Sequence, residues 1–545
     1  MSDPDLLYPA GTRPRDEEAA PTQPAHFADL NLDQVVTAVT AQRSDVDLTP
    51  IYWSPLSSLD ALRYRQEVFE DLERQELGDL ARTIASRRLN FHFHYQRKEL
   101  REDDRGLMHH YRTRSFLNAA DEYCVAVLDL CGRLERARPR SRALAELSGY
   151  LRSYVAAEPF RALHADTTQL QTALAEIHYA VLLRGNRLTV ARYDGEADYG
   201  KRVASSFARF QVGGSSRAPD SDSSDWEDYA STGILDLIAQ LYPEVFARLD
   251  EFCSKHQDYL DPVVARYDRD IQFYLAYLDY IAPIRAGGLS FSYPRLSDSD
   301  KTEQALDTFD LALAHSLLPR PERRHGLGVR ASREPTPRRS EPELNRPRGV
   351  ERVVVNDLSF DGPERILVVS GPNNGGKTTL ARTLGQLHYL ARLGCPVPGR
   401  ETALFVCDQI FTHFERAEDS TTMTGRLQTE LNELHADLAA ATGASLIILN
   451  EIFNSTTSAD ALFLSREILA RISDLDALCI CVTFLDELAS INHKTVSMVS
   501  LVDAADPAIR THKVIRKPAD GKAYAHAIAD KYGLGYERLL AELTS

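Results

Sequence analysis

Nine consecutive residues carry the plainest chemistry in this chain: Gly371, Pro372, Asn373, Asn374, Gly375, Gly376, Lys377, Thr378 and Thr379. Gly371, four intervening residues and then Gly376-Lys377-Thr378 is the spacing of a phosphate-binding P-loop. Glycines let backbone N–H groups turn inward around phosphate oxygens, where a side chain would block their approach. Lys377 supplies a point charge for the outer phosphates, the Thr378 hydroxyl can ligate Mg²⁺, and a helix N-terminus adds partial positive charge. A second candidate follows at 446–451, an apolar run ending in Asn450-Glu451. A strand that ends in a carboxylate is how P-loop nucleotide hydrolases set an acid beside the terminal phosphate, to hold Mg²⁺ and orient the attacking water. Glu451 is the residue assigned to that role.

These groups need a strand, a turn and a helix to position them. Residues 366–370 form an apolar, β-branched run, and 377–384 open a helical pattern. Further strands are predicted at 403–407, 446–449, 478–483 and 496–502, with helical stretches between most of them. Their unbroken apolar character predicts parallel strands buried on both faces. Within 478–483, alternation places Cys479 and Cys481 on the same side, as core thiols.

Upstream, apolar positions such as Leu59, Leu62, Val68, Phe69, Leu72, Leu77, Leu80 and Ile84 recur at helical steps. Helices continue through 115–136, 142–157 and 233–281. Between them, 177–210 alternates around Arg184-Gly185-Asn186 and predicts a β-hairpin; 211–229 is an acidic, Gly/Ser-containing loop. Residues 1–25 predict a disordered tail, and 319–349, crowded with Arg and Pro, a mobile linker whose arginines could touch nucleic-acid phosphates.

Composition narrows the rest. A net charge of −16 argues against wholesale coating of nucleic acid but leaves room for a local basic patch. Seven scattered cysteines fit neither a disulfide framework nor zinc spacing. His109-His110 and the aromatic-histidine run at 91–95 invite a metal reading, but no acidic or cysteine partner recurs at ligand spacing, so they are assigned to packing and surface. No signal peptide or membrane-length apolar run is found, which predicts a cytoplasmic protein with no membrane partner.

The order of motifs resembles the MutS family. Asn356-Asp357-Leu358, then 370–399, the stretch Glu418-Asp419-Ser420-Thr421-Thr422, the run 446–461, and Val482-Thr483 with Asp486-Glu487-Leu488 are similar to its ATPase domain over about 353–534. Pro55-Leu56 with Arg65-Gln66-Glu67-Val68 is similar to the opening of that family's helical core. The resemblance implies an α-helical lever and core domain over 26–318 with a small β clamp-like insertion near 177–210. An ABC-type α/β P-loop NTPase domain with a mostly parallel sheet would then occupy 350–545. It implies ATP and Mg²⁺ as cofactors, with Asn373 orienting water or phosphate and Thr378, Asn450 and Glu451 around the metal. It also implies a homodimer in which Ser420, Thr421, Thr422 and Thr424 of one subunit complete the other's site, and DNA as partner.

Three departures qualify this. About 50 residues precede the lever-like helices, so mismatch reading is not expected and branched or recombination DNA fits better. Asn450 stands where relatives carry the Walker B aspartate, and Phe484 where they carry a histidine. A weakly hydrolysing, nucleotide-gated clamp or scaffold acting on a protein or RNA–protein partner therefore stays open beside the DNA-directed ATPase.

Overall fold

The computed structural model describes residues 3–13, 21–41, 43, 46–89, 93–94, 98, 108–184, 187–195, 234–318, 352–415, 425–503, 505–506 and 509–519. The chain divides into two compact units, Met1–Asp5 with Leu72–Ile271, and Leu6–Asp71 with Gln272–Ser545.

The first unit is built on helices. His109–Ala137 runs for 29 residues and buries Phe116, Leu117, Ala120, Tyr123, Cys124, Val127, Leu130 and Leu134, the three- and four-residue steps of one face. Arg138 stops it in the left-handed conformation at φ 48°, its N–H closing on the Leu134 carbonyl, and Pro139 follows. Around it lie Gln75–Ser86, Arg142–Ala156, Glu158–Ala175 and Pro243–Lys255. Phe116 meets Phe252 and Tyr259 edge-on at ring separations of 6.2 and 5.4 Å, which joins three stretches of chain in one core. The expected hairpin is present: Tyr179–Arg184 and Arg187–Arg192 pair antiparallel from Tyr179↔Arg192 to Arg184↔Arg187. Its tip, and the acidic loop at 211–229, lie outside the described residues.

The second unit holds a six-stranded sheet. In chain order its elements are β1 (Ile366–Ser370), α1 (Lys377–Arg392), β2 (Ile410–Phe414), α2 (Arg426–Ala440), β3 (Leu446–Asn450), α3 (Ser458–Leu475), β4 (Leu478–Val482), β5 (Thr495–Val502) and β6 (Arg510–Arg516). The strand order is β2-β3-β4-β1-β5-β6, parallel except for the antiparallel edge strand β6. Ile366, Val368, Ile447, Leu449, Cys479 and Cys481 face one layer of helices with Leu434, Leu438, Leu469 and Ile472. On the opposite face α1 approaches so closely that a Cβ at Gly385 would lie 2.8 Å from Ile448 Cδ1. Both faces are covered, which is why β1, β3 and β4 are apolar without alternation.

Several expectations need correction. The predicted strand at 403–407 is Glu401–Phe405, and it belongs to a separate four-stranded sheet with Arg295–Ser297, Glu303–Thr308 and Asn356–Phe360. Two of those strands come from the stretch read as helical, because register with a distant strand, rather than local pattern, makes them strands. Strands β2 and β6 were not anticipated. Nor is all of 1–25 a disordered tail: Leu6, Leu7 and Tyr8 are buried. The fully buried Arg65 explains it, donating from Nε to the Leu7 carbonyl at 3.0 Å and from Nη1 to the Leu393 carbonyl at 3.2 Å, with Tyr8 and Phe273 against its guanidinium. The neighbouring Leu56 donates its N–H to Arg392 O at 2.7 Å, so the segment 55–68 packs on the end of α1. The Arg/Pro-rich stretch 319–349 lies outside the described residues.

Candidate functional site

Register brings the two chemical motifs to one edge. Asn450 pairs with Val482 and Val482 with Val369, so the ends of β3, β4 and β1 are level. The loop after β1 and the turn after β3 therefore emerge at the carboxyl ends of parallel strands, where open α/β sheets bind ligands.

After β1 the backbone curls through left-handed conformations at Gly371 (φ 120°), Asn374 (57°) and Gly376 (92°). Gly375 is required by space: a Cβ there would lie 2.2 Å from the Ser500 Oγ. That hydroxyl donates to the Gly375 carbonyl at 2.6 Å and fixes the loop to β5. Arg510 on β6 donates from Nε to the Asn373 carbonyl at 3.1 Å. The side chains of Asn373 and Asn374 are exposed, and Thr378 and Thr379 are half-buried in the first turn of α1.

Lys377 begins α1 and is buried. Its ammonium donates to the carbonyls of Gly371 (2.7 Å) and Pro372 (3.3 Å) and lies 4.0 Å from the centroid of the Phe484 ring. Burial pushes the amine down to about 8; Glu451 and Asp486 oppose the shift and Arg510 adds to it. Glu451 is thus electrostatically coupled to Lys377, although 74 positions separate them in sequence.

Asn450 closes β3 with its Oδ1 buried and without a hydrogen-bond partner. Glu451 then takes a left-handed conformation at φ 56°, its N–H held by the Val482 carbonyl at 2.9 Å, which turns its half-buried side chain out of the strand line. Two residues on, the Phe453 N–H donates to Glu430 on α2 at 2.8 Å, and Glu430 also meets His413 Nε2 at 3.4 Å. Ser420, Thr421, Thr422 and Thr424, which immediately precede α2, lie outside the described residues.

The donor set fits a magnesium nucleotide. A glycine cradle, a buried ammonium and the Thr378 hydroxyl follow β1 at the same sheet edge at which β3 ends in Asn450, whose side-chain carbonyl oxygen is buried without a partner. Sequence reasoning missed Ser500 and Arg510, because a serine within an apolar strand and an arginine on an edge strand carry no local signal of a loop 125 and 137 residues away.

A parallel sheet with both segments at its carboxyl edge makes this second unit a P-loop nucleotide-binding domain of the α/β class. Within that class, residues 367–538 match the family model for MutS domain V. The chain is 28% identical over 292 residues to the DNA mismatch repair protein MutS of Halalkalibacterium halodurans, covering 52% of this chain and 32% of that protein. It is 29% identical over 203 residues to DNA mismatch repair protein MutS 2 of Halobacterium salinarum (37% and 21%), and 30% identical over 194 residues to MutS of Listeria welshimeri (35% and 22%). The domain V match takes in residues 367–538, and the similarity to MutS proteins extends over about half of the chain. The chain spans about a fifth to a third of the length of these relatives.

Proposed function

We propose that this protein is an ATPase whose nucleotide cycle changes its grip on DNA, with branched or recombination structures rather than mismatches as the target. The observation that carries the ATPase reading is the level alignment of Asn450, Val482 and Val369, which supports one site made from the glycine loop and Glu451. In this reading the loop N–H groups and Lys377 bind the phosphates, Thr378 and Asn450 hold the metal, and Glu451 orients water and takes its proton. Mg²⁺, bound with the nucleotide, supplies neutralisation of phosphate charge. Asn373, exposed at the loop apex, contacts the reacting water or phosphate. DNA enters on the printed names of the relatives and on the long helices of the first unit, which suit nucleotide-driven opening and closing. A homodimer in which 418–426 of one subunit completes the other's site belongs to the same reading.

The test is steady-state ATPase activity of wild type, Lys377→Ala and Glu451→Ala with and without linear and branched DNA. The reading expects turnover in wild type, loss in both variants with nucleotide binding kept in Glu451→Ala, and a rate that responds to DNA. Absence of binding to every DNA form in the presence of ATP would remove the DNA half.

Two observations favour a second reading, a nucleotide-held clamp of low turnover acting on a protein or RNA–protein partner. Asn450 offers the metal a neutral amide, and the Phe484 ring covers the Lys377 ammonium. Brisk wild-type hydrolysis would exclude it.

A further inference from the structure

Away from the nucleotide loop, the first unit brings together two imidazoles and a carboxylate that the sequence keeps far apart. His109 and His110 are the first two residues of helix His109–Ala137, and Asp250 lies in the middle of helix Pro243–Lys255. One ligand atom from each lies within 4.8 Å of the others, the one group of this kind among the described residues. His109 Nε2 is 2.9 Å from Asp250 Oδ1. The acidic partner absent from the local spacing of the histidines is thus supplied by a helix about 140 residues later.

His110 gives the independent observation. Its ring packs against Phe246 at 5.0 Å and against His109 at 5.2 Å, and its Nδ1 is buried with no hydrogen-bond partner. No donor or acceptor of the protein satisfies that buried nitrogen, and in the tautomer that leaves its lone pair there it can take a cation. By contrast, a His–Asp hydrogen bond alone would account for His109 and Asp250 but not for the orphaned nitrogen of His110.

We propose that His109, His110 and Asp250 form a binding site for a divalent transition-metal cation of the zinc type, clipping helix His109–Ala137 to helix Pro243–Lys255. Two imidazoles and one carboxylate suit zinc and its late first-row neighbours, and leave a fourth tetrahedral position for water. Mg²⁺ and Ca²⁺ favour oxygen donors and are not the expected occupants. The helix N-terminus beneath the histidines opposes a cation, a weak effect beside that of metal–ligand bonds. His109 and Asp250 retain side-chain exposures of 25% and 44%, which leaves a route for the ion.

The test uses untagged, chelator-treated full-length protein with Mg²⁺ in excess, so that nucleotide-site ligands do not bind the probe. Zn²⁺ is titrated against a chromophoric chelator, and Co²⁺ is followed by its visible absorption. The proposal expects one saturable equivalent per chain and a thermal midpoint raised by Zn²⁺. His110→Ala and Asp250→Asn should each weaken binding at least tenfold, while His164→Ala on helix Glu158–Ala175 leaves it unchanged. Asp250→Asn keeps a hydrogen-bonding partner for His109 and so preserves the fold, as far-UV circular dichroism would verify. Absence of saturable binding, or an affinity unchanged in either His110→Ala or Asp250→Asn, would overturn the proposal.

Discussion

The ammonium of Lys377 lies 4.0 Å from the centroid of the Phe484 ring, and donates to the carbonyls of Gly371 and Pro372. Phe484 is itself 48% exposed, so the P-loop lysine is capped by an aromatic ring at the mouth of the site. A cation over an aromatic face gains about 0.5–2 kcal/mol, and the ring also keeps water from the charge.

That arrangement sets a pH dependence. Phosphate binding requires the ammonium, and burial has pushed its pKa from 10.5 to about 8. Nucleotide affinity in wild type should be flat below neutrality and fall by up to tenfold per unit as pH rises through 8. Phe484→Ala rehydrates the amine but also removes the ring's attraction for the cation; the fall moves to higher pH when rehydration is the larger effect. A fluorescent-nucleotide titration from pH 6.5 to 9.5 reads both; an unchanged profile in Phe484→Ala would mean that rehydration is not the larger effect.

Asn450→Asp replaces an unpaired buried amide oxygen with a carboxylate. With Mg²⁺ and ATP the variant should turn over at least tenfold faster than wild type if metal affinity limits the rate, since a carboxylate is the stronger Mg²⁺ ligand. Under chelation the same buried charge loses its metal partner and should lower the melting temperature. Steady-state kinetics and calorimetry with and without EDTA check the two halves independently.

Gly375→Ala forces a methyl to within 2.2 Å of the Ser500 hydroxyl and 3.0 Å of the Pro372 carbonyl. Because the second contact is backbone, the loop itself must move, and nucleotide affinity should drop more than tenfold while circular dichroism stays native. Ser500→Ala removes the 2.6 Å bond to Gly375 O and should cost about 1–3 kcal/mol in chemical denaturation, the range for leaving a buried acceptor unpaired.

Stability should also depend on pH through His388 on α1. Burial alone opposes its charging, but Glu303, 3.2 Å away and buried with it, raises its pKa from 6.5 to about 10. A raised folded value means the contribution is complete below 6.5 and is lost as pH climbs towards 10. Glu303→Gln should destabilise by about 3–5 kcal/mol near neutral pH, as breaking one partner of a buried ion pair does. Urea unfolding of wild type and variant at pH 6 and pH 9.5 should show the difference shrinking at the higher pH.

By itself the sequence determined the local parts of this protein. The glycine spacing at 371–376, the apolar runs of β1, β3 and β4, the strand-end Asn450-Glu451 and the three- and four-residue steps of the long helices are legible because each depends on neighbours in the chain. The hairpin at 179–192 was legible for the same reason. Tertiary structure decided what pairs across distance. Only the level register of β3, β4 and β1 unites the two motifs in one site, and only β5 and β6 bring Ser500 and Arg510 beneath the loop. Likewise, Leu6–Tyr8 is ordered because a buried guanidinium needs carbonyl acceptors, and Asp250 reaches His109 because two helices pack. Periodicity encodes which face of an element is buried; what that face meets is fixed by long-range packing, for which no short stretch of chain carries a signal.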